Sequence, residues 1–441
     1  MSTVDRIPDV DPLERLGERI RSRQATAAVV GLGYVGLPLV VGVHNAGYSV
    51  IGVDADTAKV DELRARRSYI VDVTDSEVSA MERARFSATP DALLEADVIV
   101  LCLPTPLTDG APDLTMVMTA AEDVARYLRP GVMVILESTT YPGTTDEMLK
   151  PILEAGGLVV GRDFALGYSP ERIDPGRATG QLATTPKIVS GVTDRCRDLA
   201  VSFYSTFVQT VVTTRTTREA EMAKLIENTY RQVNIALVNE LAVMAKELGV
   251  DIWESLHAAA TKPFGYQAFW PGPGVGGHCI AIDPTYLSWR VGQQLGYRIG
   301  FIEHANEVNN RMPDYVVQRV AEALNDAGKA INGSTVLCVG VAFKPGVDDL
   351  RGSPSLQVVE KLVAKGADVA YHDGFVPELV VGDRSLRSVP LDAGTVGAHD
   401  VVVILTPHPG VDVQALVNDA RLVFDAKGAT QGIDAPHVVR L

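Results

Sequence analysis

The 441-residue chain has little cysteine: four residues, Cys102, Cys196, Cys279 and Cys338, set far apart and in none of the paired spacings that hold a metal. That excludes the disulfide framework of small secreted domains, and a reducing cytoplasm is the expected compartment. Positive charge is also scarce, since 40 Lys and Arg stand against 55 Asp and Glu for a formal net charge of -15. A general nucleic-acid or anionic-membrane surface is thereby excluded, because phosphate backbones need clustered Lys and Arg. Met1 to Gln24 mixes acidic with basic residues and has no apolar signal core, so it reads as a frayed or helical extension and not as a targeting peptide. One stretch, Ala25 to Val53, lacks Asp, Glu, Lys and Arg altogether, but glycines and Pro38 interrupt it. A buried strand, turn and helix fit it better than a membrane span.

Apolar residues make up 46% and charged residues 22% of the chain, ordinary globular usage, and the length calls for two or three domains. Short apolar runs, Thr26 to Val30, Ser49 to Val53, Val98 to Leu103 and Val132 to Leu136, alternate with helical segments such as Val35 to Ala46. Such alternation predicts a parallel sheet covered by helices on both faces. From Arg218 to Leu248 there is no Gly or Pro, and Met222, Leu225, Ile226, Ile235, Leu237, Val238 and Leu241 mark an apolar stripe, so one long helix ending at Gly249 is expected. A Gly- and Pro-dense loop, Pro263 to Gly277, follows; alternation resumes with strands at Thr335 to Val339, Ala367 to Tyr371 and Val401 to Leu405 and a helix from Ser355 to Ala364. The expected fold is α/β: two Rossmann-like, doubly wound parallel-sheet domains joined by a long central helix and a helical middle domain. The boundaries are an extension at 1–24, one α/β domain at 25–215, the helical domain at 216–325 and the second α/β domain at 326–441.

Gly31, Gly33 and Gly36 form Gly-x-Gly-x-x-Gly, with Tyr34 and Val35 between, at the junction of the first strand and helix, and Asp54 ends the next strand. In that context the glycines allow a tight turn, close approach of a pyrophosphate and packing of helix on strand. Asp54 would accept hydrogen bonds from a ribose diol and repel a 2′-phosphate, which favours NAD⁺ over NADP⁺. Thr105, between Pro104 and Pro106 after a strand of the same sheet, either touches the nicotinamide side or only shapes a rigid loop exit.

Cys279 follows Pro271-Gly-Pro-Gly-Val-Gly-Gly-His278, a backbone able to approach a ligand closely, and Asp283 lies four residues on. If a helical turn begins at Cys279 the two share a face, and the carboxylate could manage the thiol proton; the other reading of Cys279 is a buried thiol. The remaining cysteines sit in strand or helix patterns and read as core. Lys224 and Asn228, four apart on the long helix, are either solvated groups or an ammonium and amide that together stabilise an oxyanion. Glu171 and Thr139 follow segments that could end strands; each is a site residue or a cap.

With these residues in place, the chain resembles the UDP-glucose and UDP-N-acetylhexosamine 6-dehydrogenase family from about Ala25 to the C-terminus. The resemblance rests on Gly-Leu-Gly-Tyr-Val-Gly-Leu-Pro from Gly31, Pro-Thr-Pro-Leu from Pro104, Ser-Pro-Glu-Arg from Ser169, Pro-Gly-Pro-Gly-Val-Gly-Gly-His-Cys from Pro271 and Phe-Lys-Pro from Phe343. It implies Cys279 as nucleophile, Lys224 and Asn228 around an oxyanion, Asp283 and Thr139 with an ordered water, and Glu171 in proton management. It also implies NAD⁺ in the first α/β domain, with Lys59, Thr139 and Arg351 joining the glycine turn, Asp54 and Thr105 in the cofactor set. The nucleotide-sugar substrate is implied mainly in the last domain, with Arg172, Tyr266, Gly276 and Lys344 joining Glu171, Lys224 and Asn228 toward it. A homodimer or higher homo-oligomer built on the central helix is implied as well.

The implied reaction takes the C6 alcohol of a nucleotide-diphosphate hexose to the uronic acid in two NAD⁺-dependent oxidations, through a thiohemiacetal and a thioester on Cys279. Pro175 stands where the UDP-glucose branch commonly has an acidic residue, and Thr261-Lys-Pro-Phe-Gly-Tyr266 is closer to the N-acetylglucosamine type; the base, UDP or dTDP, is open. The competing readings are a two-electron 3-hydroxyacid or 6-phosphogluconate-type dehydrogenase, which needs no cysteine, and a non-catalytic NAD-binding protein.

Overall fold

The computed structural model describes residues 11–70, 72–173, 181–277 and 279–441. The chain divides into two compact units, Met1–Glu227 and Asn228–Leu441.

In the first unit, helix α1 (Pro12–Arg21) starts behind Asp11, whose carboxylate accepts from the amides of Leu13 and Glu14. Then come β1 (Thr26–Val30), α2 (Gly36–Asn45), β2 (Ser49–Val53), β3 (Ala84–Ser87), β4 (Val98–Leu101), β5 (Met133–Leu136), β6 (Ala165–Tyr168), β7 (Lys187–Gly191), α3 (Asp194–Tyr204) and β8 (Val211–Thr213). The eight strands form one sheet in the order β3-β2-β1-β4-β5-β6-β7-β8. Its first six strands stand in the order of a dinucleotide-binding sheet, with the switch in strand order between the parallel neighbours β1 and β4. The central strands read as unbroken apolar runs, Val-Ile-Val-Leu in β4 and Met-Val-Ile-Leu in β5, buried at every position because helices cover both faces.

One pairing departs from the expected parallel sheet: β7 runs antiparallel to β6, with Gly167 opposite Gly191 and Tyr168 opposite Ser190. The reversal brings the first residue of β7, Lys187, to the edge at which β6 and the parallel strands beyond it end.

The helix Thr217–Glu247 (α4) continues into the second unit, which adds α5 (Asp283–Leu295), α6 (Gly300–Asp326), β9 (Thr335–Val339), α7 (Pro354–Ala364), β10 (Asp368–His372), β11 (Val401–Ile404), β12 (Val423–Asp425) and β13 (Val438–Arg440). Five of its strands form an all-parallel sheet in the order β10-β9-β11-β12-β13, the other common doubly wound arrangement, and Glu378–Val381 and Arg384–Arg387 form a separate antiparallel pair. Helix α4 holds neither Gly nor Pro and spans about 46 Å at the ordinary rise per residue; Gly249, with φ of 67°, takes the left-handed turn behind it. Helix α6 carries Pro313 in its interior. Among the described residues no helix is long and apolar enough to cross a membrane.

Candidate active site

The three glycines of the first turn divide their work. Gly31 has φ of 91°, and a Cβ there would lie 2.4 Å from the carbonyl oxygen of Cys102. A Cβ on Gly36 would lie 1.8 Å from the Gly31 oxygen. Both glycines are therefore demanded by the protein's packing on itself. At Gly33 a Cβ would meet nothing within 4 Å, so this backbone faces open space, as close approach of a ligand requires.

Helix α2 begins there with no side-chain cap, and its first amides are left to an anion. Directly after β2, one Asp54 oxygen accepts from the Leu32 amide at 2.8 Å and the other from Asp56 at 3.0 Å, with the Lys59 ammonium 3.6 Å away. Tyr34 and Val35 flank the turn, half-buried. Gly31, Gly33, Gly36, Asp54 and Lys59 thus meet in one place, and the opening at Gly33 fits a dinucleotide.

Thr105 is buried, and its hydroxyl donates to the carbonyl of Thr139 at 2.9 Å, which ties the loop after β4 to the loop after β5. Glu171, three residues past β6, is buried in a cluster that sequence reasoning missed. Its Oε2 accepts from the Lys187 ammonium at 2.7 Å, and its Oε1 from the amides of Arg172 and Ile173 at 2.6 and 2.7 Å. Lys187 also lies 3.1 Å from Glu137, which accepts the hydroxyl of Tyr204.

Burial acts to raise both carboxylic acids. At Glu171 the charge and hydrogen bond of Lys187, with the two amides, outweigh it and hold the group below its ordinary range. At Glu137 burial prevails over Lys187, with the negative charge of Glu171 adding to the rise. Arg172 is engaged by Glu227, 2.5 Å away, and donates to the carbonyl of Pro186 at 2.6 Å. The only hint of Lys187 in the sequence is a lysine flush against the apolar run Ile188-Val189; such a residue is buried only when paired.

Two acidic or basic residues stand one turn apart on α4. Glu221 is fully buried; it accepts from the amides of Gly143 and Thr145 at 2.6 and 2.9 Å and from the Thr145 hydroxyl at 2.7 Å, fastening the segment after Thr139 to the helix. Lys224 is buried too, and among the described residues its ammonium has no hydrogen-bond or ion-pair partner. A lysine buried without an anion is costly, so it is suited to receiving negative charge from a ligand.

In the second unit the glycine loop is held along its length. The Gly272 amide donates to Asn239 of α4 at 2.9 Å, and Asn239 in turn donates to Asn309 of α6 at 3.0 Å. Pro313 has no amide hydrogen to return to the Asn309 carbonyl, and Gly274 sits against that oxygen, 2.8 Å from where its Cβ would be. A Cβ on Gly276 would lie 2.6 Å from Pro354 and 2.7 Å from the Gly352 carbonyl; one on Gly277 would lie 2.6 Å from the Phe343 ring. The Gly277 amide donates to the carbonyl of Arg351 at 3.1 Å.

Cys279 emerges from this loop exposed, whereas Cys102, Cys196 and Cys338 are buried. Burial pushes the Cys102 thiol well up and the Cys338 thiol up to about 12. The Asp283 amide donates to the Cys279 carbonyl at 2.9 Å, so a helical turn does begin at the cysteine, and the buried Asp283 carboxylate accepts from the Asn228 side chain at 2.5 Å.

Lys344 lies with its ammonium 5.7 Å from the Phe343 ring centre; Arg351 is exposed and forked on Asp349, 2.7 Å away; Tyr266 is exposed. Lys427, behind Gly272, was not anticipated: burial holds its ammonium below the ordinary lysine range against the pull of Asp425. Pro175 and His278 lie outside the described residues.

Profiles of the UDP-glucose/GDP-mannose dehydrogenase family match three stretches: the NAD-binding domain at residues 25–208, the central domain at 218–311 and the UDP-binding domain at 337–432. The UDP-N-acetyl-D-mannosamine dehydrogenase of Pyrococcus horikoshii is 34% identical over 386 residues, covering 87% of this chain and 89% of its own. The UDP-N-acetyl-D-glucosamine 6-dehydrogenase of Pseudomonas aeruginosa is 36% identical, covering 86% of this chain and 90% of its own. A solved structure of the UDP-D-ManNAc dehydrogenase from Pyrococcus horikoshii superposes with a TM-score of 0.85 at 32% identity, over 94% of this chain and 98% of that one.

Proposed function

This chain belongs to the UDP-glucose/GDP-mannose dehydrogenase family and is an NAD-dependent nucleotide-sugar dehydrogenase, and we propose that it oxidises the C6 primary alcohol of a UDP-N-acetylhexosamine to the carboxylate through Cys279. One observation carries the reading: the exposed thiol stands at the end of a glycine loop held by α4, α6 and α7, with Asp283 and Asn228 bonded to each other at its turn. The names of the two relatives, and the motif wording around Tyr266, favour an N-acetylated hexose.

Bound NAD⁺ supplies the hydride acceptor for each of the two oxidations. Gly31, Gly33, Gly36 and Asp54, with Lys59, Thr105 and Thr139, hold it. Cys279 adds through sulfur to the aldehyde carbon left by the first oxidation, and the thiohemiacetal keeps a hydrogen on that carbon to be lost in the second. Water then cleaves the resulting thioester, releasing carboxylate and restoring the thiol. Lys224 and Asn228 offer an ammonium and an amide to the oxygen that carries charge in these adducts. Lys344 and Lys427 bring positive charge toward the substrate's diphosphate in an otherwise acidic protein.

Counting NADH per sugar oxidised, over a panel of UDP-N-acetylglucosamine, UDP-N-acetylmannosamine, UDP-glucose and dTDP-glucose, tests the proposal. Two NADH per carboxylate from an N-acetylated substrate, with Cys279→Ala forming no carboxylate, is the expected result; one NADH per product, unaffected by that substitution, rejects it. Exposed Tyr230, Leu237 and Met244 recur every seven residues on α4 and support a homodimer through that helix. Sedimentation of the parent and of Leu237→Glu tests it.

A further inference from the structure

Glu137 and Glu171 follow the ends of β5 and β6, Lys187 begins the adjacent β7, and the three meet only because β7 runs against β6. We propose that Lys187 is a positioning residue of the active site: it holds the Glu171 carboxylate ionised and in one orientation at the carboxyl edge of the sheet, with Glu137 as the anion that balances it. The inference rests on the reading of Glu171 as a site residue.

Among the described residues, every hydrogen bond to the Glu171 oxygens comes from a donor N–H. Lys187 binds Oε2 at 2.7 Å and two backbone amides bind Oε1 at 2.6 and 2.7 Å, so a proton on Oε1 would have to displace an amide and one on Oε2 would stand against the ammonium, while Oε2 keeps one lone pair to accept from a ligand. The ammonium itself is 3% exposed, shared with Glu137 at 3.1 Å, and lies 5.4 Å from the centre of the Tyr204 ring. Among the described residues, the charged and titratable groups of the cluster around Glu171 are Lys187 on β7, Glu137 after β5, Cys102 after β4 and, against Glu137, Tyr204 on α3, while Arg172 is taken by Glu227.

A buried ion cluster of this sort is a poor route to stability, since apolar residues of equal volume commonly do as well or better. Its place is informative instead: ligands of doubly wound sheets bind outside the carboxyl ends of the strands, where Glu171 stands. Glu171 then serves as a permanent acceptor, orienting the hydroxyl or water before it, and does not load and unload a proton in each turnover. Lys187 achieves this without touching substrate.

The test is the pH dependence of kcat for full-length parent, Lys187→Met, Lys187→Arg and the double variant Lys187→Met/Glu137→Gln, each checked for folding by circular dichroism. The double variant removes one charge of each sign and leaves the cluster's net charge as it was, so it keeps the experiment open where Lys187→Met fails to fold. Loss of the ammonium is expected to move the acid limb of kcat to higher pH by at least one unit, with KM for the nucleotide sugar changed less than threefold, and Lys187→Arg to return the parent's profile. A folded double variant whose profile superimposes on the parent's overturns the inference. Failure of the proposed function would look different: the parent itself would yield no uronic acid.

Discussion

The side-chain amide of Asn228 donates to the buried carboxylate of Asp283 over 2.5 Å, joining the central helix to the turn that carries Cys279. Asp283→Asn keeps an oxygen to accept this bond but removes the charge. It should lower kcat by about 100-fold, the usual loss of a proton-handling group, while thermal unfolding changes little. Asp283→Ala should in addition lose about 1–3 kcal/mol of stability, because the Asn228 amide is left buried and unmet. Full activity in Asp283→Asn would show that the carboxylate has no chemical part.

At Gly276 the packing leaves no room for a methyl group, with Pro354 and the Gly352 carbonyl at 2.6 and 2.7 Å from the required Cβ. Gly276→Ala should cost about 1–3 kcal/mol in a denaturant melt, as overpacked sites do. Because the strain falls on the loop before Cys279, turnover should drop more than 10-fold; a shift of one ångström in a reacting group suffices for such an effect.

Asp54 accepts from the Leu32 amide and, in the proposed site, would accept from the adenosine ribose diol. In Asp54→Ala the ratio of kcat/KM for NAD⁺ over NADP⁺ should fall by about 10- to 100-fold, since a repelled 2′-phosphate is no longer repelled. Preference for NADP⁺ in the unmodified protein would remove the basis for this assignment.

Burial raises the Glu221 carboxyl from 4.5 to about 7, partly offset by its bonds to Thr145 and Gly143. The folded chain therefore keeps a proton that the unfolded chain has lost, and stability falls as pH climbs through that window, to level off above it. Below it both states are protonated and the group contributes no slope. The decline amounts to a few kcal/mol, and Glu221→Gln should flatten it; parallel melting curves for parent and variant from pH 4.5 to 8 would count against the assignment.

Much of this fold is legible in the sequence because its strands are buried on both faces. Val98 to Leu101 can only be an interior strand, and Gly31, Gly33, Gly36 and Asp54 sit at fixed distances along one strand-turn-helix unit, so local reading finds them. Cys279 stands out for a similar local reason, the run of glycines before it, though Gly274, Gly276 and Gly277 are also required by the packing of the loop on α6, α7 and Phe343. Lys187 is not: its meaning comes from a strand reversal that pairs residues Gly167 and Gly191, far apart in the chain. Asn239 and Asn309, read alone, are ordinary helix amides, and only the crossing of α4 with α6 turns them into the hold on Gly272. Glu221 likewise looks like one more acidic residue on a helix until the segment from Gly143 is laid over it.

Pro313 leaves the Asn309 carbonyl one donor short within α6, and Gly274 rests against that vacancy in the helix ladder. The shape of the cysteine's approach is thus stored partly in a helix that begins over twenty residues downstream. Transplanting Pro271 to Cys279 alone into another scaffold would carry the letters without the mould, and a graft would have to bring the imino acid along with them.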